Sequence, residues 1–375
     1  MKPRRVLVTG GAGFIGTHLV HALVSRGHRV RVLDALDPQV HGQNGALGTG
    51  EDFEMIRGDI LDEVVLARAL AGSEVVFHQA ASVGVGQSMY EPAAYTRVNS
   101  LGTAMLMEKI AAPESKVEKV VVASSMSLYG EGKYACQTCG PTHPSPRCRE
   151  EMCRGEWEPG CPRCGEILTP HPTDEETAPM PTSVYAITKR CQEETVLVMG
   201  RAYRIPSVAL RYFNVYGPGQ SLSNPYTGVA AIFANRILNG VPPVLFEDGR
   251  QSRDFTHVSD IVQANLLAME RSEADYRVLN VGTGRRTPLL ELTDGLLRKL
   301  RPEGDLQPQI AGSFREGDIR HCYADISQIQ KTLGFEPQVT LEKGFDDLAD
   351  WARTQRPVDR TEQAFGELRS RGLVR

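Results

Sequence analysis

The first part of the chain alternates between two hydrophobic periods. Residues 6–8 (VLV) form a short apolar run, residues 14–26 repeat apolar positions at helical spacing, and residues 30–33 are again short and rich in valine. Short apolar runs bounded by glycine or charge read as buried strands, and a 3.6-residue repeat between them reads as a helix with one face on a sheet. The pattern therefore predicts a β-α-β unit. It recurs downstream, with strand-like runs at 53–56, 75–77, 120–123 and 208–211, separated by helical stretches such as EVVLARALAG and TAMLMEKIAA. Such regular alternation predicts a doubly wound α/β fold with a parallel sheet, because parallel neighbours need a crossover and the helix supplies it.

Composition narrows the picture without redirecting it. The 375 residues suffice for two lobes with a full core, and a net charge of −4 offers no basic footprint for nucleic acid. The opening apolar run breaks at Gly10 and no small-residue cleavage site follows, so it reads as a first strand and not a leader. No run of 18 apolar residues is present, which argues against a spanning helix. The expectation is a soluble, cytoplasmic protein with no nucleic-acid or membrane partner. In that compartment clustered cysteines hold metal more often than they form disulfides.

Between the first strand and helix, glycines at 11, 13 and 16 satisfy G-x-G-x-x-G, and those at 10, 13 and 16 give G-x-x-G-x-x-G. Either set lets backbone approach a pyrophosphate at a helix N-terminus, where free N–H groups and the dipole favour negative charge. Asp34, at the tip of the second strand, stands where a carboxylate accepts both ribose hydroxyls. A carboxylate there repels a 2′-phosphate, and DALDPQ brings no arginine directly after it, so NAD is expected over NADP.

TGGAGFIG (9–16), GDI (58–60), HQAA (78–81), ASSMSLYG (123–130), YAITK (185–189), RYFNVYGPG (211–219), RDFTHVSDI (253–261) and NVGTG (280–284) follow one another across nearly the whole chain. Together they resemble the extended short-chain dehydrogenase/reductases of the nucleotide-sugar epimerase and dehydratase group. The resemblance implies that Gly10, Gly13, Phe14, Ile15, Gly16 and Asp34 hold NAD, that Asp59 and Ile60 flank the adenine, and that Ala80 and Ala81 line the cofactor pocket. It implies a catalytic set of Ser125, Tyr185 and Lys189, the last two also touching the cofactor. Tyr185 and Lys189 are four apart and so share one helix face, where the ammonium would lower the phenol's pKa and make it a general base. Asn214, Arg253, Arg315 and Asp318 resemble positions that, with Ser125, bind the substrate's sugar, phosphates and ribose.

Two further positions bear on the reaction. Dehydratases of the group carry Asp-Glu directly after the active-site Ser/Thr, and decarboxylases a Glu two residues beyond it. Here Met126 and Ser127 stand there, and neither moves a proton at physiological pH. Hydride chemistry alone remains, which points to 4-epimerisation of a nucleotide-activated sugar. The insertion described next, with SVGVGQSMYEP, RYFNVYGPG and LSNPYTGVAAIF, most resembles 4-epimerases of dTDP-6-deoxyhexoses such as dTDP-L-rhamnose. The alternatives are a UDP-sugar 4-epimerase, a nucleotide-sugar 4-ketoreductase or a non-catalytic NAD-binding regulator. Family dimers imply a homodimer pairing the segment after Tyr95 with the one carrying Tyr185.

Residues 132–168 interrupt this succession. Cys136-x-x-Cys139 and Cys161-x-x-Cys164 are each followed by glycine and lie 21 residues apart, the pattern of a four-cysteine zinc ribbon with structural zinc. A redox relay would need C-x-x-C at a helix start, and prolines follow Cys139 instead. Cys148 and Cys153 fit less well and could be spare thiols, an alternative ligand pair or a disulfide. The expected organisation is an NAD-binding domain over 1–131 and 169–215, rejoined by about 255–272, with the insertion at 132–168 and a substrate domain over 216–254 and 273–375. The insertion is expected near the mouth of the sugar site, as a lid or a partner surface.

Overall fold

The structure is a computed structural model that describes residues 2–42, 52–301 and 303–375. Seven strands form its central sheet: β1 (Arg5–Thr9), β2 (Arg29–Asp34), β3 (Phe53–Arg57), β4 (Val75–His78), β5 (Lys119–Ser125), β6 (Ser207–Tyr212) and β7 (Val278–Val281). The order is β7-β6-β5-β4-β1-β2-β3, and every pairing is parallel. The chain reverses direction across the sheet between β1 and β4, the place where doubly wound folds open a crevice at their strand ends.

Alternation along the strands explains the layering. Val6, Val8, Val75, Phe77, Val121 and Ala123 pack with Leu19, Val20 and Leu23 of helix α1 (Phe14–Ser25) on one face. Leu7, Val76, Val120 and Val122 face the other way, onto α2 (Glu63–Leu70), α3 (Gly102–Ile110) and α4 (Val184–Tyr203). A strand buried on both faces must be apolar throughout, which is why these runs lack the polar alternation of an exposed sheet.

A second lobe packs Phe233 and Ile237 of α5 (Val229–Leu238), Leu292 and Leu296 of α6 (Leu289–Leu300), and Phe345 and Leu348 of α7 (Leu341–Arg353) into its own core. One boundary differs from expectation. Val278–Val281, placed by sequence in the substrate domain, is the seventh strand of the central sheet, paired in register with β6. Leu279 and Val281 are fully buried beside Ile329 and Leu333, so this stretch and the helix Ser327–Leu333 belong to the nucleotide-binding core.

The cysteine segment folds as a small three-stranded antiparallel sheet of Lys133–Cys136, Gly140–Thr142 and Thr169–His171, with one short helix at Arg149–Cys153. Its last strand runs just past the boundary expected at 168. Tyr134, Cys136, Cys161 and Leu168 are its buried centre, with Cys139 packed against them. Among the described residues, no helix is long and apolar enough to cross a membrane.

Candidate active site

One cavity of about 830 Å³ opens at the carboxyl ends of the strands. Gly10, Gly13, Phe14, Ile15, Gly16, Asp34, Asp59, Ile60, Ala80 and Ala81 line it, as do Ser125, Tyr185, Lys189, Asn214, Arg253, Arg315 and Asp318. Residues from opposite ends of the sequence thus converge on one space. No residue from 132 to 168 lines it. The insertion is therefore not a lid over this cavity; it lies behind one of the walls.

The nucleotide end is shaped by what is missing. Gly10 takes φ +68°, and a Cβ there would sit 2.7 Å from the Ala80 nitrogen; a Cβ on Gly16 would sit 2.2 Å from the Gly10 carbonyl. The turn can pass beneath a ligand and the helix can close on it only with glycine at both positions. Asp34 accepts the Ala12 N–H at 3.0 Å and the Leu36 N–H at 2.9 Å, and His41 Nε2 stands 3.4 Å away. Burial opposes ionisation of Asp34, but these partners outweigh it and hold the carboxyl below its usual range. His41 was not singled out in the sequence, because nothing local marks a histidine seven residues downstream as a partner of Asp34. The cradle and the carboxylate fit an NAD-like dinucleotide.

At the chemical end, β5 delivers Ser125, whose Oγ accepts from the Ser127 N–H at 3.2 Å and the Ser127 hydroxyl at 2.9 Å. Ser183 caps α4 by accepting from the Ala186 N–H at 3.2 Å, so Tyr185 and Lys189 fall in the first turns of a fixed helix. The Tyr185 N–H donates to Ser88 Oγ at 3.0 Å, and the Tyr95 ring meets the Tyr185 ring edge-on at 6.5 Å. Burial pushes the Tyr185 phenol up to about 12, with the Ser125 hydroxyl pulling the other way. Burial likewise draws the Lys189 ammonium down to about 7, opposed by Glu193. The lowering expected from Lys189 is not seen in the protein alone: burial raises the phenol, and the group that lowers it is the Ser125 hydroxyl. Met126 and Ser127 also line the cavity, which leaves no ionisable group at either position.

Two residues missed in the sequence hold the floor. His78 is wholly buried and bonds Thr9 Oγ1 and Thr103 Oγ1, each at 2.8 Å, joining the first and fourth strands to α3. Asn99, in a one-turn π-helical stretch at Thr96–Leu101, accepts the Ser82 N–H at 2.7 Å and donates to the Ser82 carbonyl at 3.1 Å. It clamps the loop that follows Ala80 and Ala81.

At the far end Asp318 accepts from Arg315 Nη2 at 2.8 Å and stands 3.4 Å from Arg253 Nη2. Burial opposes its ionisation, but the two arginines hold its carboxyl down to about 2. Asn214 Oδ1 is buried with no hydrogen-bond partner, an acceptor left over by the protein on a residue lining the cavity.

Away from the cavity, the sulfurs of Cys136, Cys139, Cys161 and Cys164 all lie within 4.8 Å of one another. Cys136 and Cys164 are 3.4 Å apart, too far for a disulfide and close to the spacing of two ligands on one tetrahedral ion. Backbone N–H groups point at the sulfurs: the Cys139 N–H donates to Cys136 at 3.3 Å, and those of Arg163 and Cys164 hold the Cys161 thiol down to about 7. This donor set fits zinc. Cys148 and Cys153, at the two ends of the short helix, are exposed free thiols outside the cluster.

A nucleotide cradle and a Ser-Tyr-Lys set on one Rossmann sheet define a class, and comparison with known proteins agrees. The family model for the NAD dependent epimerase/dehydratase family matches residues 6–149 and 163–282. The chain belongs to that family, and it is an enzyme of the extended short-chain dehydrogenase/reductase type. It is 34% identical over 352 residues to a dTDP-L-rhamnose 4-epimerase of Burkholderia thailandensis, covering 93% of this chain and 94% of that one. The UDP-glucose 4-epimerase of Thermotoga maritima, solved with UDP-glucose, superimposes with a TM-score of 0.76 at 32% identity over 93% of this chain and 99% of that one. The UDP-glucose 4-epimerase of Thermus thermophilus, solved with NAD, gives 0.74 at 30% identity over 94% and 100%.

Proposed function

We propose that the protein interconverts C4 epimers of a nucleotide-activated sugar with tightly held NAD. The observation that carries this reading is the placement of Ser125, Tyr185 and Lys189 in the cavity that also contains the glycine cradle and Asp34, with no proton-transfer group at 126 or 127. NAD, when bound, would supply the hydride acceptor and a positive charge that favours the Tyr185 phenolate. Ser125 then holds the sugar's 4-oxygen, and Tyr185 takes its proton as the carbon is oxidised. The same phenol returns the proton once the 4-keto sugar has presented its other face. Lys189 is the chain's own cation on the Tyr185 helix face, and Arg315, Arg253 and Asn214 receive the nucleotide diphosphate. A dTDP-6-deoxyhexose such as dTDP-L-rhamnose is the first substrate, on the similarity to the Burkholderia enzyme. UDP sugars are the second, on the similarity to UDP-glucose 4-epimerases.

In the same reading Cys136, Cys139, Cys161 and Cys164 hold one structural zinc. Four thiolates fill a tetrahedral shell and leave no position for water or substrate, so the metal supports the fold and takes no part in the reaction. A homodimer across the Pro92–Ile110 region and α4 is supported by apolar side chains left in water on both, with Leu101 49%, Ile187 54% and Val198 62% exposed. Incubating the purified protein, without added cofactor, with a panel of dTDP and UDP sugars tests the central statement. Interconversion without net NADH formation is expected; a stoichiometric demand for NADH would make it a 4-ketoreductase.

A further inference from the structure

The insertion lines no part of the cavity, yet it is ion-paired to the wall behind it through Arg147 and Glu158. The side chain of Arg147, from the middle of the insertion, is almost wholly buried. Its Nε donates to Glu131 at 2.9 Å, and its Nη2 reaches Glu247 at 2.7 Å and the carbonyl of Asp318 at 3.0 Å. Glu158, also of the insertion, accepts two hydrogen bonds from Arg320, at 2.9 and 2.6 Å, and lies 3.0 Å from His321 Nε2. Arg320 is 1% exposed and completes the lattice through Glu247 and Asp248, at 2.9 and 2.7 Å. Glu131 closes it by accepting the Arg320 N–H at 2.8 Å.

This lattice grips one short piece of backbone, residues 318–321, from behind. On the other side of the same piece, Asp318 and Ile319 face the cavity, and the carbonyls of Ile319 and Arg320 hold Arg253 at 2.6 and 3.0 Å. Asp318 in turn fixes Arg315. The guanidinium groups assigned to the nucleotide diphosphate therefore take their position from a backbone whose position is set by the insertion. Backbone carbonyls of Ser252, Ile319 and Arg320 hold the Arg253 guanidinium, so it cannot adjust independently of that stretch.

We propose that Arg147 and Glu158 are positioning residues for nucleotide binding: the insertion acts as a brace behind the diphosphate site, setting substrate affinity while standing outside the chemistry. The proposal rests on the reading that Arg253, Arg315 and Asp318 meet the nucleotide end. It predicts a division that a merely stabilising contact would not show. Misplacing the arginines weakens ground-state binding of the nucleotide, whereas Ser125, Tyr185 and Lys189 sit on β5 and α4, which the lattice does not touch.

The test uses the NAD-loaded, metal-replete full chain with dTDP and UDP as probes in titration calorimetry, alongside steady-state kinetics. Arg147→Met removes the central cation. Glu158→Gln, at a side chain one-third exposed, keeps the shape and guards against a variant that fails to fold. Both should raise the nucleotide's Kd and the substrate's KM about tenfold, with kcat held within about twofold and bound NAD unchanged. Arg147→Lys should recover part of the loss, because charge returns without the fork. If folded Glu158→Gln and Arg147→Met bind both nucleotides as the parent does, the brace is wrong even though the epimerase reading stands. If the parent binds neither nucleotide, the reading of Arg253, Arg315 and Asp318 falls first, and the brace with it.

Discussion

The nucleotide-binding core and the cysteine module sit side by side and are held together by different physics. In the core, two apolar layers close over a sheet whose central strands are fully buried, and its glycines and carboxylate are placed on that rigid frame. In the module the buried centre is little more than Tyr134, Leu168 and the sulfurs of Cys136 and Cys161, so apolar burial cannot order it. In the proposed reading, zinc on the four thiols at one end takes that role, beside the ion-pair lattice at the other. Removing the metal should therefore unfold the module while leaving the core intact.

The sharpest way to separate the two is to strike each at its chemistry. Tyr185→Phe should lower kcat by about 10²- to 10⁴-fold while NAD stays bound, because the base goes and the pocket remains. Near-parental turnover in that variant would remove the catalytic assignment. Replacing Cys161 and Cys164 by serine should release zinc in elemental analysis and abolish amide protection across 133–171, while β1, β4 and β5 keep theirs. Zinc retained after both substitutions would show that the sulfur cluster is not the ligand set.

Smaller effects sharpen the core's side. Asp34→Ala should weaken NAD about tenfold, the worth of a charged hydrogen bond, and narrow its advantage over NADP in calorimetry. An unchanged preference would mean that Asp34 does not meet the ribose. Lys189 gives the mildest and most diagnostic effect. Its folded pKa is drawn down to about 7, whereas an unfolded chain holds that proton to about 10.4. Unfolding between those values takes up a proton, so the stability lost to burying Lys189 is largest below the folded value and fades as pH rises toward the unfolded one. Lys189→Met should therefore raise the Tm of the NAD-free protein most at neutral pH and below, and least at high pH. A difference independent of pH would contradict the depressed value.

How much was legible follows the same division. The strands through β6, α1, the glycine turn and the Cys pairs announce themselves by short-range period and spacing, and the structure has each of them. β7 was misassigned because VLNV is too short to declare which lobe it joins; only its pairing with β6 decides. His41 beside Asp34, the His78 network and the π-helical turn at Asn99 carry no local signal. The brace was invisible for a stronger reason: Glu158 and Arg320 are 162 positions apart, and each alone reads as an ordinary surface charge. Glycine and cysteine patterns are local in sequence because their chemistry is local, whereas ion-pair lattices exist only after the chain has folded.

The account's central claim is that a hydride leaves C4 and returns to the same carbon on the other face. Nucleotide sugars of the dTDP and UDP series carrying deuterium at C4 test it directly, with purified protein in ordinary water and no cofactor added. The account predicts the C4 epimer with deuterium still at C4, read together by NMR and mass. An epimer whose label has washed out to solvent, or no epimer from any member of either series, would contradict it.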